Sequence, residues 1–74
     1  MKLYQFESCP YCQRVRLALE AKGIEYEKVE VPQYRDERTE LFELSGQYMV
    51  PVLVDGERVI SDSAAIVAYL NEKY

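Results

Sequence analysis

Histidine is absent from the 74-residue chain, and the only cysteines are Cys9 and Cys12. A structural zinc ion takes four cysteine or histidine ligands, so one copy of this chain cannot complete such a site. Iron–sulfur clusters are held by cysteine thiolates, and two copies that each supply one thiolate could share a [2Fe–2S] cluster. The sequence therefore excludes a zinc-stabilised domain and leaves a cluster-carrying homodimer open.

Long apolar runs and basic clusters are also missing. No stretch approaches the roughly 18 apolar residues of a membrane helix, and no apolar segment typical of a signal peptide follows Lys2. The 9 Lys and Arg residues are scattered among 13 Asp and Glu residues, for a net charge of −4. Such a distribution argues against binding to nucleic acid or to an anionic membrane. These absences predict a cytoplasmic protein with neither kind of partner.

The length and composition fit one compact domain. Hydrophobic residues make up 49% of the chain and charged residues 30%, the balance of an ordinary globular protein. A domain near this size buries only roughly 60% of the surface that its unfolded chain exposes, so a single core is expected. No internal repeat or low-complexity stretch interrupts the sequence. We expect residues 1–74 to form a single domain and to act as a monomer.

Changes in hydrophobic period divide the chain into seven predicted elements. Strands are predicted over 2–6, 25–31, 50–54 and 58–60, and helices over 10–22, over 35–44 and from Ser63 onwards. Pro10 suits the first turn of a helix and Gly23 its end, whereas Pro32 ends a strand near a sheet edge. The strand–helix–strand unit at the start implies parallel pairing with a right-handed crossover. Asp55-Gly56 predicts an antiparallel hairpin, so the sheet should be mixed.

The two cysteines enclose Pro10 and Tyr11 at the junction of the first strand and the first helix. In a reducing compartment, cysteines so close in sequence are expected to be redox-active rather than a structural cross-link. Unpaired N–H groups and the positive end of the helix dipole favour a thiolate at Cys9. Cys12 is then near enough to attack a mixed disulfide formed at Cys9. The alternative is that both thiols are small apolar residues packed in a turn.

Three separated stretches resemble the glutaredoxins, and most of all those that approach the N-terminal thioredoxin-fold domain of glutathione S-transferases. They are residues 3–14 with the Cys-Pro-Tyr-Cys motif, residues 49–51 and residues 61–66. The resemblance implies an α/β, thioredoxin-like fold of order βαβαββα, with a four-stranded mixed sheet flanked by three helices. It also implies a thiol-disulfide oxidoreductase that reduces protein disulfides and glutathione mixed disulfides. In that activity Cys9 would be the nucleophile, Cys12 the resolving thiol and glutathione the reductant.

The resemblance further implies how glutathione would be held, and no metal is expected. The residues concerned are Tyr11, Val50, Pro51, Asp62 and Ser63. Pro51 would follow a cis peptide bond, the backbone of Val50 would pair with the cysteinyl part, and Tyr11 would shield the site. Asp62 would take the γ-glutamyl ammonium and Ser63 its carboxylate, although both residues also suit helix caps. Gln47, Arg35 and Arg38 are lower-ranked candidates for the glycyl carboxylate.

Two departures from the glutaredoxin pattern affect these expectations. Glu7 stands near the first cysteine where many glutaredoxins carry a lysine, so either Arg14 and Arg16 offset its charge or the Cys9 thiolate is less favoured. Val59-Ile60-Ser61 replaces the usual glycine pair and resembles the transferases. Without the helical second domain of transferases, transfer to an electrophile is not expected. A thioredoxin-like protein reduced by a flavin reductase and the cluster-carrying homodimer are the rival functions that the sequence leaves open.

Overall fold

The computed structural model describes residues 1–32 and 38–74, and in that part of the chain the elements follow the predicted order βαβαββα. The strands are Lys2–Gln5 (β1), Glu27–Glu30 (β2), Val52–Asp55 (β3) and Arg58–Ser61 (β4). The helices are Pro10–Ala21 (α1), Thr39–Ser45 (α2) and Ser63–Lys73 (α3). The second helix, expected from Arg35, begins instead at Thr39, because Arg38 is its N-cap with a non-helical backbone; Arg35 itself lies outside the described residues.

The sheet is mixed and has the strand order β2-β1-β3-β4. β1 and β2 are parallel and α1 connects them, which is the predicted crossover unit. β3 runs antiparallel to both β1 and β4, with Leu3 opposite Leu53. The prediction of β2 as an edge strand is confirmed, and β1 occupies an interior position of the sheet.

Alternation along the strands builds a core on each face of the sheet. On one face, residues of β1 and β3 pack with those of α1 and α3: Leu3, Val15, Leu19, Leu53, Ile66 and Leu70, all with 0% exposure. On the other face, Tyr4 and Val52 pack with Val31 and with Leu41 of α2. Two helices therefore cover one side of the sheet and α2 covers the other, which gives the predicted thioredoxin-like arrangement.

The element ends follow local sequence signals, with one shift. Pro10 is the first residue of α1, and α3 begins directly after its cap, Asp62. Asp55 pairs with Arg58, so the hairpin turn consists of Gly56 and Glu57 rather than the predicted Asp55-Gly56. Gly56 has a φ of 63°, which glycine adopts without the steric cost of a Cβ. Within residues 1–32 and 38–74, no helix has the length and apolarity needed to cross a bilayer.

Candidate active site

Cys9 is the N-cap of α1, and both cysteines are free thiols. Its backbone is extended, with φ −78° and ψ 118°, and its Sγ accepts a hydrogen bond from the Cys12 N–H at 3.4 Å. The exposed fraction is 7% for Cys9 and 0% for Cys12. The sequence thus places two thiols on one helical turn, with the first at the helix N-terminus as expected.

The two thiols differ in their electrostatic surroundings. Burial and, second to it, the hydrogen bond with Cys9 together raise the pKa of the Cys12 thiol to about 12. Cys12 is therefore protonated at neutral pH. Because the thiolate is the nucleophilic form of cysteine, Cys9 is the better placed of the two to attack a disulfide.

The acidic neighbour of the motif, Glu7, is paired with cations. Its carboxylate lies 3.2 Å from Lys28 Nζ and 3.7 Å from an Arg16 nitrogen. The hydrogen bond with Lys28 is the main cause that lowers the pKa of Glu7. Arg14 is exposed, and the contact to Glu7 from α1 comes from Arg16. Two cations, one of them Arg16 as expected, therefore offset the charge of Glu7.

A cleft of about 590 Å³ brings together all five of the predicted glutathione-contacting residues. Its lining residues are Tyr11, Gln47, Met49, Val50, Pro51, Ser61, Asp62 and Ser63. Met49 and Ser61 were not predicted as site residues, although each lies inside a stretch that carries the resemblance. Tyr11, with 59% exposure, connects the cleft to the motif because it lies between the two cysteines in sequence.

The segment that enters β3 forms one wall of the cleft. The peptide bond between Val50 and Pro51 is cis, as the resemblance implies. Pro51 is buried and Val50 half-buried, and Met49 before them has 58% exposure. The chain therefore passes from solvent to core along this wall.

The N-terminus of α3 forms the opposite wall. Asp62 caps the helix, with its Oδ2 accepting from the Ala65 N–H at 3.2 Å. Its φ is 79°, a value that non-glycine residues rarely adopt and that costs of order 1–3 kcal/mol. Ser63 has only 4% exposure. Capping and lining of the cleft thus coexist at Asp62, where the sequence left both roles open.

Gln47 lines the cleft, but its amide is already used within the protein. Its Nε2 donates to the Met49 carbonyl at 2.9 Å and to Ser45 Oγ at 3.2 Å. Its Oε1 accepts from the Met49 N–H. Gln47 therefore holds the backbone of Met49 at the edge of the cleft, and its expected contact with a glycyl carboxylate stays a prediction.

Arg38 is not part of the cleft, which corrects its expected role at the glycyl carboxylate. It has 6% exposure, and its guanidinium donates to the carbonyls of Pro32 at 2.7 Å and Tyr48 at 2.8 Å. It also lies over the Phe6 ring at 5.3 Å. Arg38 therefore ties the start of α2 to two backbone segments. The other arginine candidate, Arg35, lies outside the described residues.

Acidic and sulfur ligands do not converge on a metal-like site. Among residues 1–32 and 38–74, no group of three or more His, Cys, Asp or Glu residues could hold a metal ion. The cleft itself offers the helix cap Asp62, the Tyr11 side chain and backbone groups, and neither cysteine is among its lining residues.

Comparison with known proteins places this arrangement among glutathione transferases. The family model described as "Glutathione S-transferase, N-terminal domain" matches residues 3–74. The chain is 47% identical to the zeta-class glutathione S-transferase of Euphorbia esula, over 100% of the chain and 34% of that relative. It thus spans about a third of the length of the curated relatives that it matches.

Solved structures agree with the sequence relatives. Glutathione S-transferase 1-6 from Anopheles dirus species B superposes with a TM-score of 0.92 at 35% identity, covering 100% of this chain and 36% of that one. A glutathione transferase homologue from Drosophila mojavensis, solved with bound glutathione, has a TM-score of 0.91 at 36% identity. That match covers 99% of this chain and 34% of the other.

Proposed function

The chain belongs to the family of glutathione S-transferase N-terminal domains, and on that premise we propose that it binds glutathione in the cleft beside Cys9 and uses it to reduce disulfides. Glutathione appears in the names of the matched family and of its relatives. The Cys-Pro-Tyr-Cys motif supports disulfide exchange as the chemistry. The proposed substrates are protein disulfides and glutathionylated proteins.

Glutathione would lie between the two walls of the cleft. The backbone of Val50, before cis Pro51, would pair with the cysteinyl part in the manner of an added strand. At the other wall, Asp62 would pair with the γ-glutamyl ammonium, and Ser63 with the first N–H groups of α3 would receive the carboxylate. Tyr11 would cover the tripeptide on the side of the cysteines. In this pose the glutathione sulfur faces the start of α1.

The reaction is a two-electron exchange between sulfur atoms. The Cys9 thiolate attacks one sulfur of the substrate disulfide, which breaks that bond, forms a mixed disulfide and releases a thiolate that takes up a proton. The Cys12 sulfur then attacks Cys9 Sγ and breaks the mixed disulfide, and the proton that Cys12 gives up is taken up by the departing second substrate thiolate. A Cys9–Cys12 disulfide remains. Two glutathione molecules reduce that disulfide and leave as glutathione disulfide.

The observation that carries this proposal is the 3.4 Å hydrogen bond from the Cys12 N–H to Cys9 Sγ. The bond fixes the Cys9 sulfur at the first turn of α1. The same bond keeps the two cysteines within one helical turn. This arrangement suits a nucleophile at Cys9 and a resolving thiol at Cys12.

The decisive experiment separates the two thiols. Cys12→Ser should lose reduction of an intramolecular protein disulfide but keep turnover of a glutathionylated peptide, because glutathione itself can resolve that mixed disulfide. Cys9→Ser should lose both reactions. Turnover of either substrate by Cys9→Ser would reject Cys9 as the nucleophile, and full protein-disulfide reduction by Cys12→Ser would reject the resolving role of Cys12.

A second candidate function is transfer of glutathione to an electrophile, which the zeta-class transferase relative favours. Both activities would use the same glutathione site, and they differ in what the sulfur attacks. Incubation with glutathione and an aryl chloride distinguishes them, since only a transferase forms the thioether faster than the uncatalysed reaction. The disulfide proposal predicts that thioether formation is not accelerated. It also predicts that glutathionylated peptide is turned over.

We further propose that residues 1–74 act as one monomeric domain in the cytoplasm. The molar mass from light scattering tests whether the protein is a monomer. The visible spectrum of the purified protein tests the alternative, a homodimer that would share a [2Fe–2S] cluster through Cys9. A coupled assay with glutathione and its reductase, run against a flavin-dependent thioredoxin reductase, identifies the reductant.

A further inference from the structure

A closed ring of hydrogen bonds surrounds the segment just before Cys9. Gln5, the last residue of β1, has 0% exposure. Its Nε2 donates to Glu30 Oε2 at 2.8 Å, and its Oε1 accepts from the guanidinium of Arg16. A fully buried amide thus joins β1 to a carboxylate on β2 and a cation on α1.

The other side of the ring holds the backbone of Glu7. The guanidinium of Arg16 donates to the Glu7 carbonyl at 3.2 Å, and Glu30 Oε1 accepts from the Glu7 N–H at 3.1 Å. Both backbone polar groups of one residue are therefore bound by side chains from two different elements. The Cys9 N–H donates to the Phe6 carbonyl at 3.2 Å, which ties Cys9 to the same turn.

The ring joins α1 to the paired strands β1 and β2. Arg16 belongs to α1, whose N-cap is Cys9, and its side chain is 12% exposed. Movement of the turn at Glu7 would move Cys9 relative to the N–H of Cys12. A displacement of about 1 Å at a reacting group can cost about a hundredfold in rate, so fixing this turn has a direct chemical consequence.

We infer that Gln5, Arg16 and Glu30 are positioning residues for the Cys9 thiol, acting through the backbone of Glu7. The ring holds the turn so that Cys9 Sγ keeps its 3.4 Å contact with the Cys12 N–H. The inference rests on the proposed function for the role of Cys9 as nucleophile. Its residues lie outside the cleft that would hold glutathione.

The ring permits an exchange of residues that preserves its hydrogen bonds. Gln5→Glu alone places a second carboxylate against that of Glu30. Glu30→Gln alone places an amide N–H against one of the two donors that Glu30 now accepts from, Gln5 Nε2 or the Glu7 N–H. In the double variant, Glu at position 5 accepts from Arg16 and from Gln at position 30, which still accepts from the Glu7 N–H. The single variants break the ring, and the double variant closes it with one bond reversed.

The measurement is the rate at which iodoacetamide alkylates Cys9, followed by mass spectrometry below the melting temperature of every variant. We expect each single variant to alkylate about tenfold more slowly, which corresponds to about 1.4 kcal/mol, and the double variant to recover the wild-type rate to within about twofold. In turnover of glutathionylated peptide, kcat should fall in the single variants while KM for glutathione stays unchanged.

Tyr69→Phe is the matched control at the opposite end of the sheet. It removes a 2.6 Å hydrogen bond from Tyr69 to Asp55, so it lowers stability without touching the ring. Its Cys9 alkylation rate should equal that of the wild type. Single ring variants that melt lower but alkylate at the wild-type rate would overturn the inference, as would a folded double variant that stays slow.

Failure of the proposed disulfide reduction can be distinguished from failure of the inference on the ring, because alkylation of Cys9 needs neither glutathione nor a disulfide. A wild-type protein that is alkylated at Cys9 but reduces no disulfide rejects the proposed activity. The comparison of ring variants then still decides whether the ring positions Cys9.

Discussion

The carboxylate of Asp62 caps α3 through the N–H of Ala65, while the same residue lines the cleft at a φ of 79°. An asparagine or aspartate tolerates positive φ better than most residues, because its short side chain can bond to the local backbone. Buried Ser63 follows directly and fixes the helix start against the core. The position therefore favours a short polar residue for the backbone, and in the proposed pose its carboxylate would also meet the glutathione ammonium.

Asp62→Asn separates these two requirements. Asparagine caps helices about as well as aspartate, so the melting temperature should change little. Loss of a charge-assisted hydrogen bond to the γ-glutamyl ammonium should cost about 1–2 kcal/mol, or about five- to thirtyfold in glutathione affinity. Titration calorimetry with glutathione and thermal melting measure the two quantities.

Two substrates provide the control for Asp62→Asn. The reaction of Cys9 with a small symmetric disulfide that lacks glutathione should be almost unchanged, whereas turnover of glutathionylated peptide should fall. An equal loss on both substrates would show that Asp62 serves the fold or the thiolate. Unchanged glutathione affinity would contradict its role as the partner of the ammonium.

The helix α2 is the single described helix on its face of the sheet, and it leads directly to the cleft. Leu41, with 1% exposure, packs on Tyr4 and Val52 in the smaller core cluster. At the helix end, Ser45 Oγ donates to the Leu41 carbonyl at 2.8 Å and accepts from Gln47. Ser45 therefore links the end of α2 to Gln47, whose amide binds the backbone of Met49.

Leu41→Ala should loosen the wall of the cleft as well as the core. Removing a fully buried leucine side chain costs about 2–5 kcal/mol, measured by urea unfolding. In the folded fraction, KM for glutathione should rise because the segment before Val50 is less well held. The matched control is Phe42→Ala on the next residue, which has 44% exposure and should cost much less stability. Equal losses in the two variants would contradict the anchoring role of Leu41.

The elements that the sequence predicted well carry local signals. Pro10 precedes and Gly23 follows the helical pattern of α1. Charged and apolar side chains alternate over 25–31 before Pro32, which predicted an edge strand. The hairpin was placed one residue early, because Asp55 pairs with Arg58 across the turn and its carboxylate also accepts from Tyr69 and Tyr74. Contacts to residues 14 and 19 positions away cannot be inferred from a dipeptide.

The cleft was predictable where a short motif determines geometry. Asp62 and Pro51 belong to such motifs, and both line the cleft. Arg38 was expected at the cleft but lies outside it, because it donates to two distant carbonyls that no periodicity indicates. Gln47 lines the cleft as expected, but its bonds with the backbone of Met49 could not be predicted from the sequence. A polar side chain near a site can bind either the ligand or the protein, and only the structure distinguishes them.

Burial of Cys12 makes the stability of the whole molecule depend on pH. Its pKa is about 12 in the folded protein, against about 8.5 for a free thiol in an unfolded chain. Below about pH 8.5 both states hold the proton, and Cys12 adds no pH dependence. Between these two values the unfolded chain has lost the proton and the folded protein keeps it, so stability must fall as pH rises.

Comparison with Cys12→Ser isolates the pH dependence due to Cys12 from that of other groups that titrate at alkaline pH. Tyr4 is one of these groups, and burial raises its pKa as well. Wild type should lose free energy of unfolding more steeply than Cys12→Ser from about pH 8.5 upward, as the raised pKa requires. Urea unfolding at intervals of half a pH unit measures the difference. Parallel curves for the two proteins would show that Cys12 ionises equally in both states.

The interior position of β1 affects how the protein can be made on the ribosome. Its inner partner is β3, with Leu3 opposite Leu53, so β1 can complete its pairing only with a strand that is synthesised about fifty residues later. Until then, the apolar side chains of β1 and α1 that pack on β3 and α3 in the folded protein lack those partners and are exposed to chaperones and to other chains. Closing such a long loop is slow compared with forming a helix. We therefore expect ribosome-bound chains that stop before residue 52 to be protease-sensitive, and chains that have released residue 73 to be resistant.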